Sequence, residues 1–289
     1  MARVSFADVK QIGIAILWLL LFAAISFGII IGLSEAVPGW GGREWFLARN
    51  GIFEVIGFGI ATLVVGRLLN KRSWDDMGWK PRTAPSFGRG VTMGSAMAVV
   101  AVLLAALFGA RVRVTNEWSV WAAVALPLIV GLVLAALGEE LAFRGYPLRR
   151  LADATGVIPA ILVFAILFGL AHAKNPNATV FSIVNVALAA IWLSFAFFSQ
   201  GGMGMAWGAH LGWNGGLALL YDAPVSGYNF AVPVVEYTPG NHAWIDGGAF
   251  GPEGGLVTTV VLIGGMLYLL TRTAAFSDQP SAKQEIAAA

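Results

Sequence analysis

Six polar or ionisable side chains stand where the surrounding sequence is almost wholly apolar: Glu139, Glu140, Arg144, His172, His210 and Asn214. A charge inside a membrane helix costs about 2.5–3.5 kcal/mol by insertion scales, so such residues line a cavity or pair with one another. Here they fall into three short clusters. In Gly138-Glu139-Glu140-Leu141-Ala142-Phe143-Arg144-Gly145, Glu140 and Arg144 are four apart and share a helix face, so they can pair. Glu139 is turned about 100° from Glu140 and has no local partner. That asymmetry gives Glu140 and Arg144 the structural role and makes Glu139 the reactive carboxylate, suited to general base and acid work. The competing reading is an interfacial helix end with ordinary surface charges.

The second cluster is Phe168-Gly169-Leu170-Ala171-His172, with Phe and His one helical turn apart at the end of an apolar run. A lone histidine there also fits an interfacial position. The third, Trp207-Gly208-Ala209-His210-Leu211-Gly212-Trp213-Asn214, lies well inside an apolar run. His210 and Asn214 are again four apart and project from one stripe. They could donate to an oxyanion on a scissile carbonyl or simply join helices. A carboxylate, two histidines and an asparagine are the parts for water activation and carbonyl stabilisation. Two histidines and a glutamate can equally hold zinc with an open position, although the HExxH pattern is absent.

The elements that must position these residues are membrane helices. The chain has 289 residues, 58% hydrophobic and 12% charged, with a mean hydropathy of +0.76. A soluble domain carries about 25% charged residues. The +2 net charge resides in short loops rather than on a phosphate-binding face, which argues against nucleic acid as a partner. With no cysteine, disulfides, thiolate metal sites and cysteine nucleophiles are excluded together. At roughly 17–25 residues per span, eight runs follow: Ile12–Leu33, Ile52–Leu69, Phe87–Ala110, Trp121–Gly138, Val157–Ala171, Val180–Phe198, Met203–Leu220 and Leu256–Leu270. The expected fold is therefore all-α, a polytopic transmembrane bundle of about eight helices. Residues 1–276 are expected to form a single transmembrane domain in which 121–221 carries the three clusters and 221–255 is an external loop, with residues 277–289 as a polar tail.

Arg67, Lys71, Arg72, Lys80, Arg82 and Arg89 crowd the loop after the second run, whereas Tyr221–Gly255 has no Lys or Arg. The positive-inside rule makes the first loop cytoplasmic and the second external. Eight spans then put both termini inside. Arg149 and Arg150 agree with this, while Arg111 and Arg113 do not. The external loop, rich in Gly, Pro and aromatic residues, reads either as a cap over the bundle or as a plain connector.

Taken in order, Glu139-Glu140-x-x-x-Arg144, Phe168-x-x-x-His172 and His210-x-x-x-Asn214 resemble the three signature motifs of the CAAX-protease and bacteriocin-processing family, also called the Abi family. The resemblance covers roughly Trp121 to Tyr221. It implies an eight-helix intramembrane endopeptidase in which the residue matching Glu139 activates water with help from that matching His172. Those matching His210 and Asn214 would stabilise the oxyanion. The family pattern leaves open whether a divalent metal such as zinc takes part; the expected mechanism is metal-independent, with no cofactor. A membrane-associated peptide or protein is the implied substrate and the lipid bilayer the setting; the Ala/Gly/Val-rich composition favours a bacterial inner membrane. Two other classes remain: a proton-coupled transporter using the Glu/His cluster, and a non-catalytic immunity protein on the same fold. Hydropathy sets one condition. It puts Glu139 near the inner face and His172 near the outer, so the fourth helix must run on to about Arg150 and the fifth must tilt steeply or re-enter.

Overall fold

Inside a bilayer the backbone must satisfy its own polar groups, and the apolar runs do so as helices. The structure, a computed structural model, describes residues 6–39, 45–115, 118–199, 201–232 and 234–272. The polar tail at 277–289 lies outside the described residues. The helices are α1 (Phe6–Ala36), α2 (Phe46–Ala61, continued as a π-helical stretch, Thr62–Leu69), α3 (Thr83–Leu107), α4 (Trp118–Phe143) and α5 (Gly145–Thr155). After these come α6 (Val157–Ala171), α7 (Val180–Phe198), α8 (Gly202–Tyr221), the single turn α9 (Ala243–Asp246) and α10 (Leu256–Arg272). The protein is an all-α bundle.

By length and composition five described segments can cross a membrane: Val9–Ala36, Phe46–Leu69, Thr83–Leu107, Trp121–Thr155 and Val180–Phe198. Val157–Ala171 and Leu256–Thr271 are shorter apolar helices. Only 17% of the most apolar stretch of α1 is buried, against 50% for α7, so α1 lies at the rim and α7 at the centre.

The tightest helix pair is α3 with α8, and its cause is a run of glycines. Gly204, Gly208 and Gly212 recur every fourth residue on one stripe of α8, and Gly90 and Gly94 answer on α3. A Cβ at Gly208 would stand 2.1 Å from the Phe87 carbonyl oxygen, and one at Gly94 would stand 2.1 Å from that of Ala209. In lipid, where apolar burial gives little drive for association, close backbone approach of this kind brings helices together. It fixes the turn of α8 that carries His210.

The fourth helix does not run on to Arg150. It stops at Phe143, Arg144 leaves helical geometry (φ −120°, ψ −139°), and α5 starts afresh at Gly145. Gly145 has φ +45° and sits where a Cβ would meet Met203 Cε at 2.9 Å, so a side chain there would be strained.

A two-stranded antiparallel ribbon, which the sequence reading does not foresee, pairs β1 (Arg111–Val114) with β2 (Val235–Thr238) in the register Arg111 with Thr238. Arg113 thereby reaches Glu236 at 2.7 Å. The cations that disagree with the charge rule thus share one end of the bundle with the acidic segment 222–255. The basic loop lies at the other end of α3, where Arg72 pairs with Asp153 of α5 and Arg149 donates to the Asp76 carbonyl at 2.9 Å. The acidic segment is folded onto the bundle. Phe250 packs with Ala165, Phe168, Val186 and Ala190, and Asn175 donates to the Ser226 carbonyl at 3.0 Å.

Candidate active site

Glu139 and His172 meet because of helix length. The apolar stretch Trp121–Thr155 is 35 residues long, and Glu139 falls close to its midpoint. Helix α6 has only 15 residues, about 22 Å at 1.5 Å per residue, short of a hydrocarbon core of about 30 Å. His172, at its C-terminal cap, ends beside Glu139, with Nε2 4.0 Å from Glu139 Oε2.

The geometry then follows residue by residue. Arg144 is fully enclosed: Nη1 donates to Glu140 Oε1 at 3.1 Å, Nη2 to the Ala190 carbonyl at 3.3 Å, and the guanidinium lies 4.8 Å over the Phe168 ring. Glu140, also buried, takes a second bond on the same oxygen from His210 Nδ1 at 2.9 Å. His172 Nδ1 lies 2.8 Å from the Phe168 carbonyl. A carbonyl only accepts, so Nδ1 carries the proton, and the Phe-x-x-x-His spacing closes one of the free carbonyls of the helix end. Each histidine thus has Nδ1 fixed and turns Nε2 to the same atom. His210 Nε2 is 3.7 Å and His172 Nε2 is 4.0 Å from Glu139 Oε2. That oxygen is buried and, among the described residues, takes no hydrogen bond.

Phe168 binds the cluster from below. Its ring lies 4.6 Å from that of His172, 5.0 Å from Phe143 and 6.2 Å from His210. Asn214 is half-buried one turn beyond His210, and among the described residues no hydrogen bond joins its side chain to the cluster. Five of the six residues singled out by sequence are thus brought together, with Asn214 beside them.

Separations of 3.7 and 4.0 Å are too long for direct hydrogen bonds and suit one bridging water. Ligands about 2.0–2.1 Å from a tetrahedral zinc lie roughly 3.3 Å apart. The same three atoms are the donors a metal would use, set somewhat wider than that. Among the described residues no group of three His, Asp or Glu side chains meets metal-site geometry.

Sequence reasoning passes over two acids. Glu54, on α2, breaks the pattern of three clusters. It faces Gly138, where a Cβ would stand 2.9 Å from Glu54 Oε2, and it feels the charge of Glu139. A carboxylate inside an apolar run is the very signal that flagged Glu139. Glu253 comes from the acidic segment: Oε1 accepts from Trp213 Nε1 at 2.8 Å and Oε2 from the Ser226 amide. Burial pushes its carboxyl above the ordinary value, against the pull of these two donors and of His172 and His210. Its signal in the sequence is faint, an acid with no cation near it in Gly251-Pro252-Glu253-Gly254-Gly255. A cleft of about 1310 Å³ lies between α3 and α10, is lined by residues such as Met93, Met97, Val260 and Tyr268, and holds none of these side chains.

Apolar helices enclosing a carboxylate–histidine centre define a multi-pass membrane protein with a polar site built among its helices. Residues 120–216, about a third of the chain, match the family model described as type II CAAX prenyl endopeptidase Rce1-like. This stretch, which runs from the start of α4 into α8, is similar to that domain, and the match supports a CAAX-type intramembrane endopeptidase in general terms. No curated protein matches the chain.

Proposed function

We propose that the protein is an intramembrane endopeptidase in which Glu139 activates water. The observation that carries the reading is the convergence of Glu139 Oε2, His172 Nε2 and His210 Nε2 at 3.7–4.0 Å. Water held there donates one proton to Glu139 while His172 Nε2, a lone-pair acceptor, orients it. Its oxygen attacks the scissile carbonyl carbon. His210 already donates Nδ1–H to Glu140, so it can donate to the oxyanion from Nε2 only as an imidazolium. In this reading Asn214, one turn on, adds a second donor. The proton on Glu139 passes to the amide nitrogen, the C–N bond breaks, and a carboxylic acid and an amine leave, the acid then giving up its proton to water.

The reaction as proposed needs no metal. The substrate is a membrane-associated peptide or protein, and the six-cation loop is the cytoplasmic face, with both termini on that side. Purified protein in liposomes, offered membrane-anchored peptides with and without a prenylated C-terminal cysteine, tests the activity and its lipid requirement together. Glu139→Gln should lower turnover about 10²–10⁴-fold with the fold intact. Cleavage unchanged in Glu139→Gln and His172→Ala sinks the reading, and loss of turnover on chelation, restored by zinc, sinks its metal-free form.

A further inference from the structure

The chemistry above leaves one buried acid unused. Glu253 lies on the short turn Pro252–Gly254 just before α10 and is 8% exposed. One residue here joins three parts of the molecule. Its carboxylate takes Trp213 Nε1–H from α8 at 2.8 Å and the Ser226 amide from the acidic segment. Its backbone carbonyl accepts from Asn185 Nδ2 of α7, also at 2.8 Å. Trp213 is three residues beyond His210 and next to Asn214, and its buried ring packs edge-on to Trp192 of α7 at 6.3 Å. The carboxylate is near enough to His172 and His210 to feel both. A plain connector between two spans needs no buried acid, because a neutral side chain would close the turn without the cost of desolvating a carboxyl group.

We propose that Glu253 is a positioning residue of the active site: through Trp213 it holds the α8 turn carrying His210 and Asn214, which makes the segment 222–255 a working part of that site. The proposal rests on the endopeptidase reading and names a residue outside the three sequence motifs.

The test uses the full chain in liposomes with a peptide that the wild type cleaves, comparing Glu253→Gln, Trp213→Phe and the double variant. Each single change should lower kcat about 10- to 100-fold, as loss of an outer-shell partner does, with KM within about twofold. The double variant should lose no more than about twofold beyond the worse single one, because both changes disrupt the same anchor: glutamine has one acceptor oxygen for two donors, and its NH2 must face one of them. Additive losses, or a loss confined to KM, overturn the proposal. Amide hydrogen exchange, read without substrate, gives a second arm. Both single variants should speed exchange in residues 207–214 as well as around Ser226; faster exchange at Ser226 with α8 unchanged means an anchor for the loop alone and overturns it. Should Glu253→Gln fail to fold, Trp213→Phe carries both arms with Glu253 intact. A wild type that cleaves nothing removes the endopeptidase reading, and the α8 exchange still decides whether Glu253 holds that turn.

Discussion

Two buried carboxylates, one at the end of α4 and one in the acidic segment, are held by two donors each, and the donors differ in kind. Glu140 accepts from the Arg144 guanidinium and the His210 ring. Glu253 accepts from an indole and a backbone amide. The first charge is met by a formal cation one turn away on the same chain segment. The second accepts hydrogen bonds only from neutral dipoles, brought from distant parts of the sequence. Both acids are hidden from solvent, so the lesson concerns compensation rather than burial: Glu140 belongs to a buried ion pair, and Glu253 to a site where ionisation is opposed.

The largest effect expected from that contrast is on Arg144. Arg144→Met strands the Glu140 charge and should cost about 3–5 kcal/mol, as removal of one partner of a buried pair does. Denaturant unfolding in micelles measures it. The double variant Glu140→Leu, Arg144→Met should recover much of the loss, since a buried pair and an apolar replacement are often close in stability. A single variant as stable as the wild type would mean that Glu140 is compensated by His210 alone.

A middle-sized effect belongs to the scaffold that carries His210. Gly208→Val on α8 puts side-chain atoms where the Phe87 carbonyl already stands, 2.1 Å from an added Cβ. Forcing α3 and α8 apart should cost about 1–3 kcal/mol. Because His210 rides on that turn, activity should fall further than stability alone explains. Gly59, where an added Cβ meets nothing within 4 Å, is the control, and Gly59→Val should leave activity near wild type. Equal effects at the two positions would break the link between helix approach and the site.

The same contrast explains what the sequence made legible. Glu140 with Arg144, and Phe168 with His172, are pairs four residues apart on one helix, so a period of 3.6 predicts their meeting. The span lengths follow from the bilayer in the same way. The convergence of three helices on Glu139 Oε2 is not periodic; it depends on α6 being too short to cross and on the glycine stripe that sets α8. Trp213 with Glu253 joins residues 40 apart through a loop of no regular period, and Arg113 with Glu236 spans 123 residues through a ribbon. Glu54 was readable from its place in an apolar run, yet the partner it faces, Gly138, was not. Arg144 shows the limit from the other side: its pairing with Glu140 is local and predictable, but the helix break at its own backbone depends on Gly145 fitting against Met203.

The smallest effect is the one that separates the two carboxylates most cleanly, because it changes with pH. Burial holds the Glu253 carboxyl above its ordinary value of 4.5, so the folded chain keeps this proton after the unfolded chain has released it. Where the folded state binds more protons than the unfolded one, stability falls as pH rises. Wild type should therefore lose stability relative to Glu253→Gln, which does not titrate, as the pH climbs from the ordinary value towards the folded one. The readout is the melting temperature of the wild type minus that of Glu253→Gln, measured in micelles between about pH 5 and pH 8. It should shrink steadily with pH, whatever its value at the acid end. A flat difference would mean that the indole and the Ser226 amide stabilise the carboxylate as fully as water does. Glu253 would then match Glu140 in compensation without having a cation beside it.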